Sequence, residues 1–349
     1  MGFRSYLRNL RFRRANPQSE EPVEIADEAN DDWKRFHLKR SVSVVPAKIF
    51  GPSDRFFTIG SCFAKEVRKA LTGHGVPCLP DYRRISFDPK FAVVDTLPSG
   101  EHMNYYNTFS IRQEFERAAG EWTQAEDDVW EIPGRVISDG SVRRGPGTIW
   151  QDPYRRMTFG ASREILNASL ASINSVMAEG IRRANAFIIT LGLTEVFVKN
   201  DNGLVACQFP GYGRGGGTNT TSFHASSYDE NFANMDRIAK LIRKLNPRAT
   251  VIVTVSPVPL RKTFTGDDIV VANLRSKAIL LAVAHEICRQ HSHCRYFPSY
   301  NIATVAGHDA FQERDGRHVA PEFVQKIMDT FVEAYFRESP DRRLARTAA

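Results

Sequence analysis

Three short runs in this chain, Phe56 to Ile59, Ala186 to Leu191 (AFIITL) and Thr250 to Val255 (TVIVTV), are apolar or β-branched throughout and show no polar face. Strands of that kind are buried on both sides, the condition of a parallel sheet covered by helices. The intervening segments supply the helices. Residues 62–73 carry Phe63, Val67, Ala70 and Leu71 on one face, and helical spacing also predicts helices at Thr108–Ala119, 162–184, Tyr228–Leu245, 272–291 and Pro321–Phe336, the last with proline at its natural starting position. The prediction is an α/β fold, a three-layer sandwich with a central parallel sheet. Arg295–Phe297 reads as a further short strand. Residues 128–145 and 195–206, the latter around Asn202-Gly203, read as hairpins, and these are loop insertions in one domain.

With 349 residues, 42% hydrophobic and 25% charged, the chain can bury a large core without crosslinks. Five cysteines, at 62, 78, 207, 288 and 294, are too sparse and odd in number for a disulfide framework, so a reducing compartment is expected. No apolar run reaches the ~18 residues of a membrane span. The N-terminus lacks the apolar stretch and small-residue cleavage site of a secretory signal, so a cytoplasmic location is expected. The formal charge of +7 favours anionic small molecules, coenzyme tails or anionic lipid. No nucleic-acid partner is expected.

Residues 1–16 hold five arginines and no acid, with Phe3, Leu7 and Leu10 on one helical face beside Arg4, Arg8 and Arg11. Two readings stand: a solvated basic tail, or an amphipathic arm whose residues 1–14 touch the inner face of a membrane peripherally. Tyr6, in place of Ser or Thr, disfavours myristoylation. Residues 17–40 read as an acidic flexible linker, 41–337 as the folded domain and 338–349 as a flexible tail.

In open parallel sheets, ligands sit beyond the carboxyl ends of the strands. Those ends are Gly60-Ser61, Gly192-Leu193-Thr194-Glu195 and Ser256-Pro257-Val258-Pro259. Ser61 falls between a strand and a helix, a place that exposes a hydroxyl and offers its backbone N–H to an oxyanion. The same position is also a routine helix cap. Cys62 sits where a helix start favours the thiolate. Successive helical residues diverge by about 100°, however, which would pack Cys62 beneath Ser61. Asp315-Gly316-Arg317-His318 places a carboxylate and an imidazole three residues apart, where the first can fix the tautomer of the second.

A Gly-Ser after the first strand, a Gly-x-Thr after a middle strand and a D-x-x-H before the last helix together resemble the SGNH, or GDSL-like, hydrolase superfamily. Gly60-Ser61-Cys62-Phe63-Ala64 spells the signature of the GSCFA-domain family. Tyr106-Asn107-Thr108-Phe109-Ser110-Ile111, Thr190-Leu191-Gly192-Leu193-Thr194-Glu195, Thr254-Val255-Ser256-Pro257-Val258-Pro259, Tyr296-Phe297-Pro298-Ser299-Tyr300 and Asp315-Gly316-Arg317-His318-Val319 look like the same family. The likeness covers roughly residues 50 to 335.

This resemblance implies a flavodoxin-like sheet order and a catalytic Ser61, with His318 as general base and then acid, and Asp315 orienting it. The implied oxyanion donors are the nucleophile's N–H, a glycine N–H and an Asn side chain. Here Gly192 is present, but Thr194 stands where the superfamily has Asn, and Asn104 or Asn107 would substitute. The implied activity is hydrolysis of O-acyl esters, foremost acetyl, on a glycan or small molecule. The alternatives are an O-acyltransferase in bacterial surface polysaccharide biosynthesis, taking a thioester such as acyl-coenzyme A as donor substrate, and a binding protein that keeps the fold without turnover. No cofactor is implied.

Other candidates carry less. Cys288, His291, His293 and Cys294 invite a zinc reading, but adjacent residues do not converge on one ion and no metal site is expected. The run Gly211–Gly217 lacks the ending of a phosphate loop and does not open a helix. It reads as a loop near the cleft, a candidate lid, with Arg214 able to meet an anionic substrate and His224 a candidate for substrate contact. Lys277 reads as structural or rim-lining.

Overall fold

The computed structural model describes residues 34–337, apart from 52, 87, 89–91, 95, 96 and 98–102. The basic arm, most of the acidic linker and the C-terminal tail lie outside the described residues.

In chain order the elements are β1 (Phe56–Gly60), α1 (Cys62–Gly73), β2 (Cys78–Leu79), β3 (Ala92–Val94), α2 (Thr108–Ala118), β4 (Trp130–Ser138), β5 (Ser141–Gln151), β6 (Thr158–Gly160) and α3 (Arg163–Arg183). They continue with β7 (Ala186–Leu191), β8 (Glu195–Lys199), β9 (Val205–Ala206), β10 (Thr221–Ala225), α4 (Tyr228–Leu245), β11 (Thr250–Val255), α5 (Ile269–Gln290), β12 (Cys294–Tyr296), α6 (Ser299–Ala306) and α7 (Pro321–Tyr335).

Five strands form the central sheet in the order β12-β11-β7-β1-β2, and every pairing is parallel. Alternate residues face opposite layers, as the pleat requires. Phe57, Ile59, Phe187, Ile189, Val251 and Val253 join the core shared with α2, α3, α4 and α5. Phe56, Ala186, Ile188 and Ile252 join the core shared with α1 and α7. This is the expected three-layer sandwich, and it explains why the strands have no polar face. The sheet order reverses between β1 and β7, so their carboxyl ends open a crevice.

Two antiparallel sheets are inserted, β10-β8-β9 and β3-β6-β5-β4. The first expected hairpin extends beyond 145 to Gln151, turning at Asp139 and Gly140, both at positive φ. The second turns at Gly203, also at positive φ. Helix starts follow ordinary capping: Ser162 caps α3, Ser227 and Glu230 form a capping box on α4, and Pro321 opens α7.

Candidate active site

The turn from β1 into α1 is shaped by Gly60. Its φ is +140°, and a Cβ there would overlap the Thr190 carbonyl oxygen, so glycine lets β1 and β7 close together at this end. Ser61 is the N-cap of α1, with extended backbone (φ −66°, ψ −177°), and its Oγ accepts from the Phe63 N–H at 3.4 Å. The Ser61 N–H donates to the Thr190 carbonyl at 3.3 Å. That amide therefore continues the sheet and is not free for an oxyanion. The amide that opens α1, with no intrahelical acceptor, is that of Cys62.

Ser61 and Cys62 line the same cavity, of about 310 Å³. Cys62 is not packed beneath Ser61: the 100° divergence holds between helical residues, and Ser61 is not yet helical. Of the two, Ser61 is 3% exposed and Cys62 is more open.

A strap crosses the ends of β1 and β7. The Tyr105 N–H donates to the Gly60 carbonyl at 2.7 Å, and the Leu193 N–H to the Tyr106 carbonyl at 2.9 Å. A Cβ on Gly192 would stand 2.5 Å from the Tyr106 carbonyl oxygen and 3.3 Å from Ser61 Cβ, so this close approach requires glycine. Asn104 and Asn107 both reach the cavity from the strap. Asn107 Oδ1 caps α2 by accepting from the Ser110 N–H at 2.8 Å, which leaves Nδ2 as its donor. Asn104 is 5% exposed and its Oδ1 lacks a partner. Behind the strap, the Tyr105 hydroxyl, Arg117 and Arg155 all donate to buried Glu114 at 2.7–2.8 Å. These cations draw the Glu114 pKa down to about 2 against the opposing effect of burial.

The cavity wall also carries His318, which is paired with Asp315. His318 Nδ1 donates to Asp315 Oδ2 at 2.6 Å. Asp315 Oδ1 accepts the backbone N–H groups of Arg317 at 2.9 Å and His318 at 3.0 Å. Three hydrogen bonds to the ionised form hold this carboxyl well below its ordinary range, His318 contributing most. With Nδ1 donating, Nε2 is an acceptor, and Arg317 Nη1 donates to it at 3.2 Å. Arg317 Nε also donates to the Pro259 carbonyl at 3.1 Å, tying this turn to the loop after β11. The His318 pKa is raised, and the largest cause is a hydrogen bond with the Cys62 side chain; burial opposes it and Asp315 adds to it.

Beneath the turn lies Lys277, 1% exposed, with Nζ donating to the carbonyls of Gly192 at 2.8 Å and Val258 at 3.0 Å. Burial pushes its pKa down to about 7, partly offset by Cys62, while Arg317 adds to the depression. Of the two readings, structural or rim-lining, these bonds fit the structural one. The signal was its place on the apolar stripe of α5: Leu280, Ala284 and Ile287 follow at helical spacing and are all buried.

Thr194 and His224 are not among the residues lining the cavity. The Thr194 N–H donates to Ser276 Oγ at 3.0 Å and its carbonyl accepts from Ser226 Oγ at 2.7 Å, which ties it to α5 and to the turn before α4. His224 is held on β10 by Glu230 at 2.8 Å. Arg214 is likewise turned away, donating to the Val142 carbonyl at 2.6 Å. The glycine run around it packs closely on Trp130, where a Cβ on Gly217 would meet the indole at 2.5 Å. Only Tyr212 of that loop reaches the cavity, and its hydroxyl accepts from Arg156 at 3.0 Å.

Aromatic side chains from the inserts and the post-β11 loop, Phe197, Phe209 and Phe264, form the outer wall. Four cations, Arg156, Arg261, Lys262 and Arg317, also line the cavity. Glu195 is its one carboxylate among the described residues, and it is occupied by the Thr263 hydroxyl at 2.7 Å and the Phe264 N–H at 2.8 Å.

In the Cys288–Cys294 cluster, His291 pairs with Asp236 at 2.9 Å and His293 donates to the Ala239 carbonyl at 3.2 Å. Among the described residues, no group of three or more His, Cys, Asp or Glu side chains is placed to hold a metal ion. Among them, too, no helix is long and apolar enough to cross a membrane.

A parallel α/β sandwich with Ser61 and Cys62 on the turn at its switch point and an Asp-His pair beside the same cavity defines the class of structure. The chain belongs to the GSCFA family, whose model matches residues 55–331. No curated protein matches the chain. Among solved structures, a peptidoglycan O-acetylesterase aligns over 85% of this chain and 92% of its own, at 10% identity and a TM-score of 0.34. A second solved chain aligns over 43% of this chain at 12% identity and a TM-score of 0.26, and the alignment spans 63% of that chain's length.

Proposed function

We infer that the chain catalyses acyl transfer from an O-acyl or thioester substrate bound in this cavity, through a covalent acyl-enzyme. The observation that carries the reading is the His318–Asp315 pair, 2.6 Å apart, whose His318 lines the same cavity as Ser61 and Cys62. His318 Nε2 takes the proton of a nucleophile on the β1–α1 turn, Asp315 stabilises the resulting imidazolium, and the leaving group recovers the proton. Motif order nominates Ser61 as nucleophile. Cys62 N–H, Asn107 Nδ2 and Asn104 are the groups available to hold the oxyanion, in place of the Ser61 amide and Thr194.

Hydrolysis of an O-acetyl ester on a glycan or small molecule is the first form of this activity. Transfer from an anionic thioester donor, such as acyl-coenzyme A, to a sugar hydroxyl is the second, and the four cations lining the cavity favour it. Assay of p-nitrophenyl acetate cleavage and of acetyl-coenzyme A consumption, with and without sugar acceptors, tests both. His318→Ala should lower either rate by about 10³-fold. Full activity in a folded His318→Ala protein would overturn the reading, and absence of both activities in the wild type would leave a binding module.

A further inference from the structure

Within the acyl-transfer reading, on which this inference rests, the nucleophilic atom remains to be assigned between two neighbours. We propose that it is Cys62 Sγ, and that the acyl-enzyme is a thioester.

Two geometric features separate Cys62 from Ser61, and two electrostatic ones agree with them. Ser61 Oγ accepts from the Phe63 N–H as the cap of α1, and the residue is 3% exposed. Cys62 is the more exposed of the two and occupies the first helical position, where the helix end favours an anion. Of the groups on this turn, it is the Cys62 side chain that raises the His318 pKa most. Finally, Lys277 lies buried with no carboxylate partner among the described residues, and Cys62 offsets part of the burial that depresses its pKa.

The cavity wall also offers an occupant a binding group. Asn104 Oδ1 is buried there without a partner, a polar atom that a bound donor would satisfy.

The chemistry balances without an external redox partner. Cys62 Sγ attacks the acyl carbonyl of the donor as its thiol proton passes to His318 Nε2. A new S–C bond forms, the bond from carbonyl carbon to the donor's sulfur or oxygen breaks, and the departing atom takes the proton from His318. An acceptor hydroxyl then attacks the Cys62 thioester, gives its proton to His318, and Sγ leaves to be reprotonated. A thioester donor passes its acyl group to Cys62 between two bonds of like energy, so the group stays activated for the acceptor. A serine ester would lose that activation.

The test is covalent. Wild type, Ser61→Ala, Cys62→Ala and Cys62→Ser proteins are incubated with acetyl-coenzyme A or p-nitrophenyl acetate, quenched in acid, and the 42-dalton acetyl adduct is mapped by peptide mass spectrometry. The expected result is an adduct on Cys62, released by neutral hydroxylamine and retained in Ser61→Ala, with turnover in Cys62→Ala down by about 10³-fold or more. An adduct on Ser61, or turnover in Cys62→Ala within tenfold of wild type, overturns the assignment while leaving acyl transfer standing. Neither adduct nor turnover from either donor overturns both. Should Cys62→Ala fail to fold, iodoacetamide on the native wild type serves instead: turnover should fall in proportion to alkylation mapped to Cys62. Full turnover with Cys62 alkylated overturns the assignment.

Discussion

Lys277 Nζ donates to the carbonyl oxygen of Gly192 at 2.8 Å, so the loop closing strand β7 is held from below by a buried amine. A second bond from the same nitrogen, at 3.0 Å, reaches Val258 after β11. One side chain thus sets the spacing of two strand ends at the cavity.

That arrangement has a pH signature. In the folded protein Lys277 titrates near pH 7, whereas the unfolded chain holds the proton to about pH 10.4. Between those values the unfolded state binds more protons, so the lysine's contribution to stability rises with pH and is flat below about 7. Relative to Lys277→Met, wild type should gain roughly 2 kcal/mol of unfolding free energy between pH 7 and pH 9. Paired urea titrations at the two pH values measure it; a constant difference between the proteins refutes it.

As the proposed base, His318 would have to be neutral to accept a proton, and its pKa is raised above the ordinary value by Cys62 and by Asp315. The rate of ester cleavage should therefore climb with pH through a midpoint above about 6.5. Asp315→Asn removes one of the two raising partners and the charge that stabilises the imidazolium. It should move the midpoint to lower pH and cut the plateau rate by about 10²- to 10⁴-fold. An unshifted profile with an unchanged plateau would rule out the pairing.

Gly192 and Gly203 make a controlled comparison. A Cβ on Gly192 would stand 2.5 Å from the Tyr106 carbonyl oxygen, forcing the strap off the strand ends. Gly203 has positive φ but open space around it. Gly192→Ala should cost about 1–3 kcal/mol and most of the activity, and Gly203→Ala about 1 kcal/mol with activity kept. Melting curves and a turnover assay on the two variants decide it.

Glu114 is buried between Arg155 and Arg117 behind the strap. Glu114→Gln would leave these cations uncompensated and should cost about 3–5 kcal/mol in denaturant unfolding. Because its pKa is depressed to about 2, the stabilisation is present above the ordinary carboxylate range and is lost as pH falls through that value. A loss below 1 kcal/mol would show the network to be dispensable.

The layers were legible in the sequence because burial on both faces is written directly in β1, β7 and β11. α1 and α4 have the limits expected from their periodicity, since Ser61, Ser227 and Asn246-Pro247 punctuate them. β2, β3 and β6 escaped because they span two or three residues and are defined by backbone pairing with distant segments. β10 escaped because its largely exposed TSFHA run has no apolar face. At the site, Asp315 and His318 were legible because three residues of turn bring them together. The placement of Cys62 was not, since it depends on the extended backbone of Ser61. Thr194 illustrates the converse: a motif position fixes a residue along the strand end, while tertiary bonds to Ser276 and Ser226 decide which way it is committed.

The cavity's outer wall comes from segments that contribute nothing to the central sheet. Phe197 is on β8, Phe209 follows β9 and Phe264 follows β11, whereas Cys62, His318 and Lys277 belong to turns and helices of the parallel core. The proposed recognition and the proposed reactivity are thereby housed in different parts of the chain. On the proposed acyl-transfer reading, substituting the aromatic wall would retune which acyl group or acceptor fits without displacing a reacting atom, so substrate choice could change by exchange of the inserts and the post-β11 loop alone.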